Sequence, residues 1–89
     1  MTLIPPQIIS FRNGIYQGYI EDYYPQGLGL FMDDNLVFHC SEWKRGQYNG
    51  PTAILVSHSK YMYGGWENGV PNGFNIFRDG DAVLLGNFV

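Results

Sequence analysis

"WENGVPNGFNIF" (residues 66–77) decides how this chain is read, because "WKRGQYNGPTAI" (residues 43–54) says nearly the same thing earlier. Each stretch sets a tryptophan ahead of glycine and asparagine turn residues and follows them with a short apolar run. The offset is constant: Trp43 and Trp66, Gly46 and Gly69, Gly50 and Gly73, and Gly27 and Gly50 all lie 23 residues apart. A fixed period of this length is the signature of one supersecondary unit stacked on copies of itself. Carried backwards, the register sets Ile20 under Trp43, Gly18 under Ser41 and Gly64, and Phe31 under Ile54 and Phe77. Carried forwards with one residue dropped at "RDGD", it sets Gly86 under Gly64 and Phe88 under Trp66. The 89 residues then divide into an N-terminal half repeat (1–14), three repeats (15–36, 37–59 and 60–82) and a closing strand (83–89).

Each unit reads as a β-hairpin. "IYQGYI", "LVFHCSEW", "KYMYGGW" and "AVLLGNF" are first strands, and "LGLFM", "PTAILV" and "FNIFR" are second strands, all rich in aromatic and branched residues. Asn13-Gly14, Asp33-Asp34-Asn35, Ser57-His58-Ser59 and Asp79-Gly80 supply turn chemistry between them. No long window carries the helical period. The expected fold is all-β, a single-layer solenoid of stacked antiparallel hairpins. Such a stack lets a short chain bury an apolar face that no single hairpin covers alone.

Tyr16-Gln17-Gly18-Tyr19-Ile20, and more fully Gly64-Gly65-Trp66-Glu67-Asn68-Gly69-Val70-Pro71-Asn72-Gly73-Phe74-Asn75-Ile76-Phe77, resemble MORN repeats. That unit runs Tyr-x-Gly-x-Trp, a polar residue, Asn-Gly, and a Gly-x-Gly-x-aromatic strand. The likeness spans roughly residues 14–88. It departs from the pattern at His39 and Met62, which replace the tyrosine, at Ser41, which replaces a glycine, and at Thr52 and Asn75, which replace the second glycine kept at Gly29. The resemblance implies an elongated, curved array that binds or dimerises and does not catalyse. A bacterial variant of the repeat also occurs in antitoxin-like and immunity proteins.

Composition narrows the function further. Five Lys and Arg against eight Asp and Glu leave a net charge of −3, which offers no electrostatic footprint for nucleic acid and argues against strong membrane binding or a lipid-headgroup ligand. One cysteine, Cys40, permits no intrachain disulfide, and the first residues carry neither a basic n-region nor a long apolar h-region. A cytoplasmic protein is expected.

Candidate chemistry is sparse. Gly27-Leu28-Gly29 lacks the downstream Gly-Lys-Ser/Thr of a phosphate loop, so glycines at a fixed register are read as turn and close-approach positions. His39 and Cys40 are strand neighbours that point to opposite faces, the pattern of a buried thiol and a groove- or turn-facing imidazole. His39 and His58 alone make no zinc site, and Asp33-Asp34 belongs to a turn. Neither metal nor cofactor is expected, and the chain reads as a non-enzyme.

Trp43 and Trp66 admit two roles: a structural stack along the array, or an aromatic ladder on a concave face that grips a peptide. With Glu42 and Glu67 beside them and Tyr16 in the first unit, the expected groove is aromatic and acidic and suits a protein or peptide partner with basic character. A scaffold of this kind is the leading expectation, and a small antitoxin-like or immunity-type inhibitor is the alternative. The final stretch "AVLLGNFV" carries no charge, so a homodimer is expected through Leu84, Leu85, Phe88 and Val89 of the last strand. The other end is expected to be guarded by Pro5 and Pro6, which resist strand addition.

Overall fold

The computed structural model describes residues 6–89, so expectations that fall on residues 1–5, Pro5 among them, lie outside the described residues. The described residues form one antiparallel sheet whose eight strands lie in sequence order. They are β1 (Gln7–Phe11), β2 (Gly14–Glu21), β3 (Tyr24–Asp33), β4 (Phe38–Lys44), β5 (Gln47–Ser57), β6 (Lys60–Glu67), β7 (Val70–Asp79) and β8 (Ala82–Phe88). Among the described residues no helix is long and apolar enough to cross a membrane.

The turns explain where the second strands begin. Asp22-Tyr23, Arg45-Gly46 and Asn68-Gly69 close β2–β3, β4–β5 and β6–β7 as two-residue turns with positive φ at both positions (51° and 69°, 50° and 78°, 50° and 84°). This left-handed pair matches the right-handed twist of the flanking strands, which is why Asn-Gly is favoured there. β3, β5 and β7 therefore start at Tyr24, Gln47 and Val70, several residues before the stretches read as strands from the sequence. Gly27, Gly50 and Gly73 lie inside those strands, at φ of 86°, 120° and 87°. They occupy bulges: the step from Gly18 to Ile20 on β2 faces Gly29 to Pro25 on β3, and the steps from Ser41 to Trp43 and Gly64 to Trp66 face the stretches holding Gly50 and Gly73. Extra residues on one strand bend it and re-aim its side chains, and glycine adopts the required backbone without a Cβ penalty.

At the opposite end, Leu36 and Val37 lie in the connection, not in β4. The Asp33 carboxylate accepts hydrogen bonds from the Asn35 and Val37 N–H groups at 2.9 and 3.1 Å, which holds the chain out of the ladder until Phe38.

Strand alternation splits the apolar residues between two faces. On the inner face one row crosses the whole sheet as Ile9, Tyr16, Phe31, His39, Ile54, Met62, Phe77 and Leu84. A second row, Gly18, Gly29, Ser41, Thr52, Gly64, Asn75 and Gly86, runs beside it. The two rows fill one another's space. The Tyr16 ring lies over Gly29 so closely that a Cβ there would collide with it, and the Tyr16 hydroxyl donates to the Tyr19 carbonyl at 2.7 Å. Beside His39 of the first row, buried Ser41 and Thr52 occupy the second row and share a 2.7 Å hydrogen bond. Where methionine stands in the first row, Asn75 is fully buried against Gly64 and donates to the Gly65 carbonyl at 3.0 Å. Each change of side chain in the first row is thus met from the facing position in the second.

The core is aromatic and belongs to the N-terminal half. Tyr16, Phe31 and Trp43 are buried together, with Ile9, Phe11, Ile20 and Tyr48 packed around them. Tyr16 and Trp43 meet edge to face at 5.7 Å, and Phe11 meets Phe31 at 5.9 Å. Arg12, in the turn after β1, donates to the Gly46 carbonyl at 3.0 Å. In a flat sheet those two turns sit at opposite strand ends and three strands apart, about 14 Å sideways. Their contact means that the sheet curls towards its inner face and brings the first hairpin over the core.

Candidate functional site

The curl covers β2–β4 and leaves the inner face of β5–β8 open. There Ile54, Val56, Met62, Phe77 and Leu84 line a groove of about 590 Å³, with Lys60, Arg78 and Asp79 at its rim. The volume falls within the range of ligand-sized pockets. Its lining continues the row that, three strands earlier, is sealed under Phe11.

The sequence-predicted site residues separate in the structure. Tyr16 and Trp43 are 0% and 3% exposed, so the rings expected to grip a partner are spent in the core, against each other. Trp66 is half-buried and stands edge-on to Tyr48 at 5.0 Å. Its Nε1 is buried without a partner, whereas Nε1 of Trp43 donates to the Gly29 carbonyl at 3.1 Å. Glu42 and Glu67 are exposed and, by strand alternation, lie across the pleat from the neighbouring indoles. The acidic side chains therefore border the outer face, not the aromatic one. Of the C-terminal residues, Leu84 lines the groove, Leu85 lies on the opposite face, and Phe88 packs edge-on against Phe77 at 5.8 Å. Val89 is fully exposed beyond β8.

Cys40 corrects an expectation. It is exposed on the outer face, because the buried side of β4 is taken by Ser41 and Trp43. His39 does face inward, as alternation requires, and belongs to a relay that the sequence reading missed. Nε2 of His39 is 3.0 Å from Asp33 Oδ2 and Nδ1 is 2.6 Å from the Tyr48 hydroxyl. With Nε2–H donating to the carboxylate, Nδ1 accepts the Tyr48 proton. The hydrogen bond to His39 is the main reason that the Asp33 carboxyl titrates below its usual range, and burial pushes the Tyr48 phenol upward. The relay ties the β3–β4 connection to β5. Its only sequence cue was an inward-facing His39, since the Asp33 contact depends on the path of the β3–β4 connection and Tyr48 lies beyond the bulge in β5. Among the described residues no three His, Cys, Asp or Glu side chains gather as a metal site.

No protein-family model matches the chain, and no curated protein matches it either.

Proposed function

We propose that this chain is a MORN-like repeat protein acting as a non-catalytic protein-binding module, with the open inner groove of β5–β8 as its binding site. The observation that carries this reading is the groove itself: an apolar, ligand-sized surface that nothing in the described chain covers. Support for repeat organisation comes from hydrogen bonds between successive turns. Gly46 N–H donates to the Pro25 carbonyl at 3.0 Å and Gly69 N–H to the Tyr48 carbonyl at 2.9 Å, with both partners displaced by the same 23 residues. The non-catalytic reading rests on the Asp33–His39–Tyr48 relay, whose groups spend their hydrogen bonds on one another within the fold.

The groove favours an apolar segment over a basic one, since its carboxylates are limited to Asp79 at the rim. β8 adds a second element of recognition. It is an edge strand of the described sheet, and an extended partner segment pairing there sets alternate side chains beside Leu84, continuing the inner-face row. Peptides selected from a random library on the immobilised protein are expected to be extended and apolar. Their binding is expected to be lost in Leu84→Glu, a change at a residue 65% exposed, and to keep its strength and salt dependence in Glu67→Lys. Retention by Leu84→Glu together with salt-sensitive loss in Glu67→Lys would favour the acidic surface instead.

A further inference from the structure

The outer face of the sheet is a second unpartnered surface, independent of the groove. One row across it reads Leu30, Cys40, Ala53, Tyr63 and Ile76, with no charge over five strands, and the adjoining row Met32, Phe38 and Leu55 runs on to Tyr61 and Arg78, which also reach the rim of the groove. Single exposed apolar residues need no explanation, but a contiguous apolar face on a one-layer sheet marks an interaction surface. We propose that a second copy of this chain covers it, outer face against outer face, in a two-layer twofold dimer.

Area, relief and charge support this occupant. The molecule measures 44 × 28 × 20 Å, so the whole of one broad face projects to roughly 1,200 Å², and the ~800 Å² per partner of a standard stable interface takes about two thirds of it, the central rows and their margins together. The relief is suited to self-fitting. Small side chains at Cys40, Pro51 and Ala53 floor a depression of about 290 Å³, and exposed Leu28 and Tyr63 stand at its margins. A twofold axis lets a projecting side chain of each copy enter the depression of the other, as an isologous contact requires. The central row carries no charge over five strands, and Glu42 opposite Leu28, Glu67 and Arg78 stand around it, so the middle of the face suits an apolar partner, and sheets stacked about 10 Å apart are a stable way to bury two such faces. The edge of β8 is less suited to the twofold contact, because Phe88 is turned onto Phe77 and Leu84 faces the groove.

Cys40 reports on this face without any mutation. Sedimentation of the intact protein, combined with its rate of reaction with a bulky maleimide, is expected to show a dimer at about 100 µM and Cys40 labelling slowed about tenfold relative to dilute monomer. Tyr63→Glu, at a 53% exposed position, is expected to give a monomer with unchanged circular dichroism and freely labelled Cys40. A monomer at that concentration overturns the proposal, and so does a dimer in which Cys40 stays reactive, which puts the contact at β8. Protection of Cys40 by phosphatidylcholine vesicles and not by protein concentration also overturns it. Leu84→Glu leaves the outer face untouched, so failure of the groove reading and failure of this one are separable.

Discussion

The halves β1–β4 and β5–β8 share one sheet and one inner-face row, yet they end in opposite states. Phe31 is buried beneath Phe11 and beside Trp43, whereas Phe77, at the matching place, looks into an open groove. The residues are alike and the strand pairing is alike. What differs is cover: β1 and Arg12 lie over the first half, and the second half has no such hairpin. Burial is therefore a property of what lies above a row, and an apolar row left uncovered becomes a surface with something to bind.

The largest expected effect tests this contrast directly. Trp43→Ala removes a ring in contact with Tyr16, Phe31 and Tyr48, and is expected to cost about 3–5 kcal/mol, a large share of the stability of a domain this small. Trp66→Ala, at a half-buried ring with an unpartnered N–H, is expected to cost about half of that. Urea unfolding of the two variants measures the gap, and equal costs would mean that the second half is as tightly built as the first.

A smaller effect sharpens the account of how the rows compensate. Gly29→Asn drives a side chain into the Tyr16 ring and is expected to cost about 1–3 kcal/mol. Combining it with Tyr16→Met installs the Met62 and Asn75 pairing in the first half. The double variant should be clearly more stable than the sum of the two single changes predicts, as coupled neighbours require. Additive losses in denaturant melts would show that the facing positions are independent.

The smallest effects appear in the pH dependence of stability. Burial raises the Tyr16 phenol from 10.0 to about 12, so the unfolded chain ionises first. The contribution is complete below pH 10 and is lost as pH rises towards 12. Asp33 has the opposite sign: its carboxyl is lowered from 3.8, so its contribution is present above that value and lost as pH falls through the depressed folded value. Thermal melts across pH should show both limbs, with Tyr16→Phe reducing the alkaline one, which Tyr48 shares, Tyr16→Phe with Tyr48→Phe flattening it, and Asp33→Asn flattening the acid one. An alkaline limb that is undiminished in Tyr16→Phe would show that Tyr16 does not contribute to it.

Much of the fold was legible because its signals are local. Asn68-Gly69 announces a two-residue turn, and period-two alternation from Phe38 to Lys44 announces a strand. Boundaries failed where a single side chain overruled propensity, as when the Asp33 carboxylate drew Leu36 and Val37 into a loop. The site was less legible. Tyr16 and Trp43 carry the composition of a gripping surface, and alternation places them together, but alternation has no term for what lies on top of them. Glu42 and Glu67 were adjacent to the tryptophans in sequence and therefore opposite to them in space.

By itself the sequence determined the succession of antiparallel hairpin strands and the turns between units, because turn geometry and strand alternation act over a few residues. Only the tertiary structure decided which apolar row is core and which is surface. That choice depends on the bulges curling the sheet until Arg12 meets Gly46, a contact between residues 34 positions apart whose closure is set by the summed bend of several strands. No single residue encodes that sum.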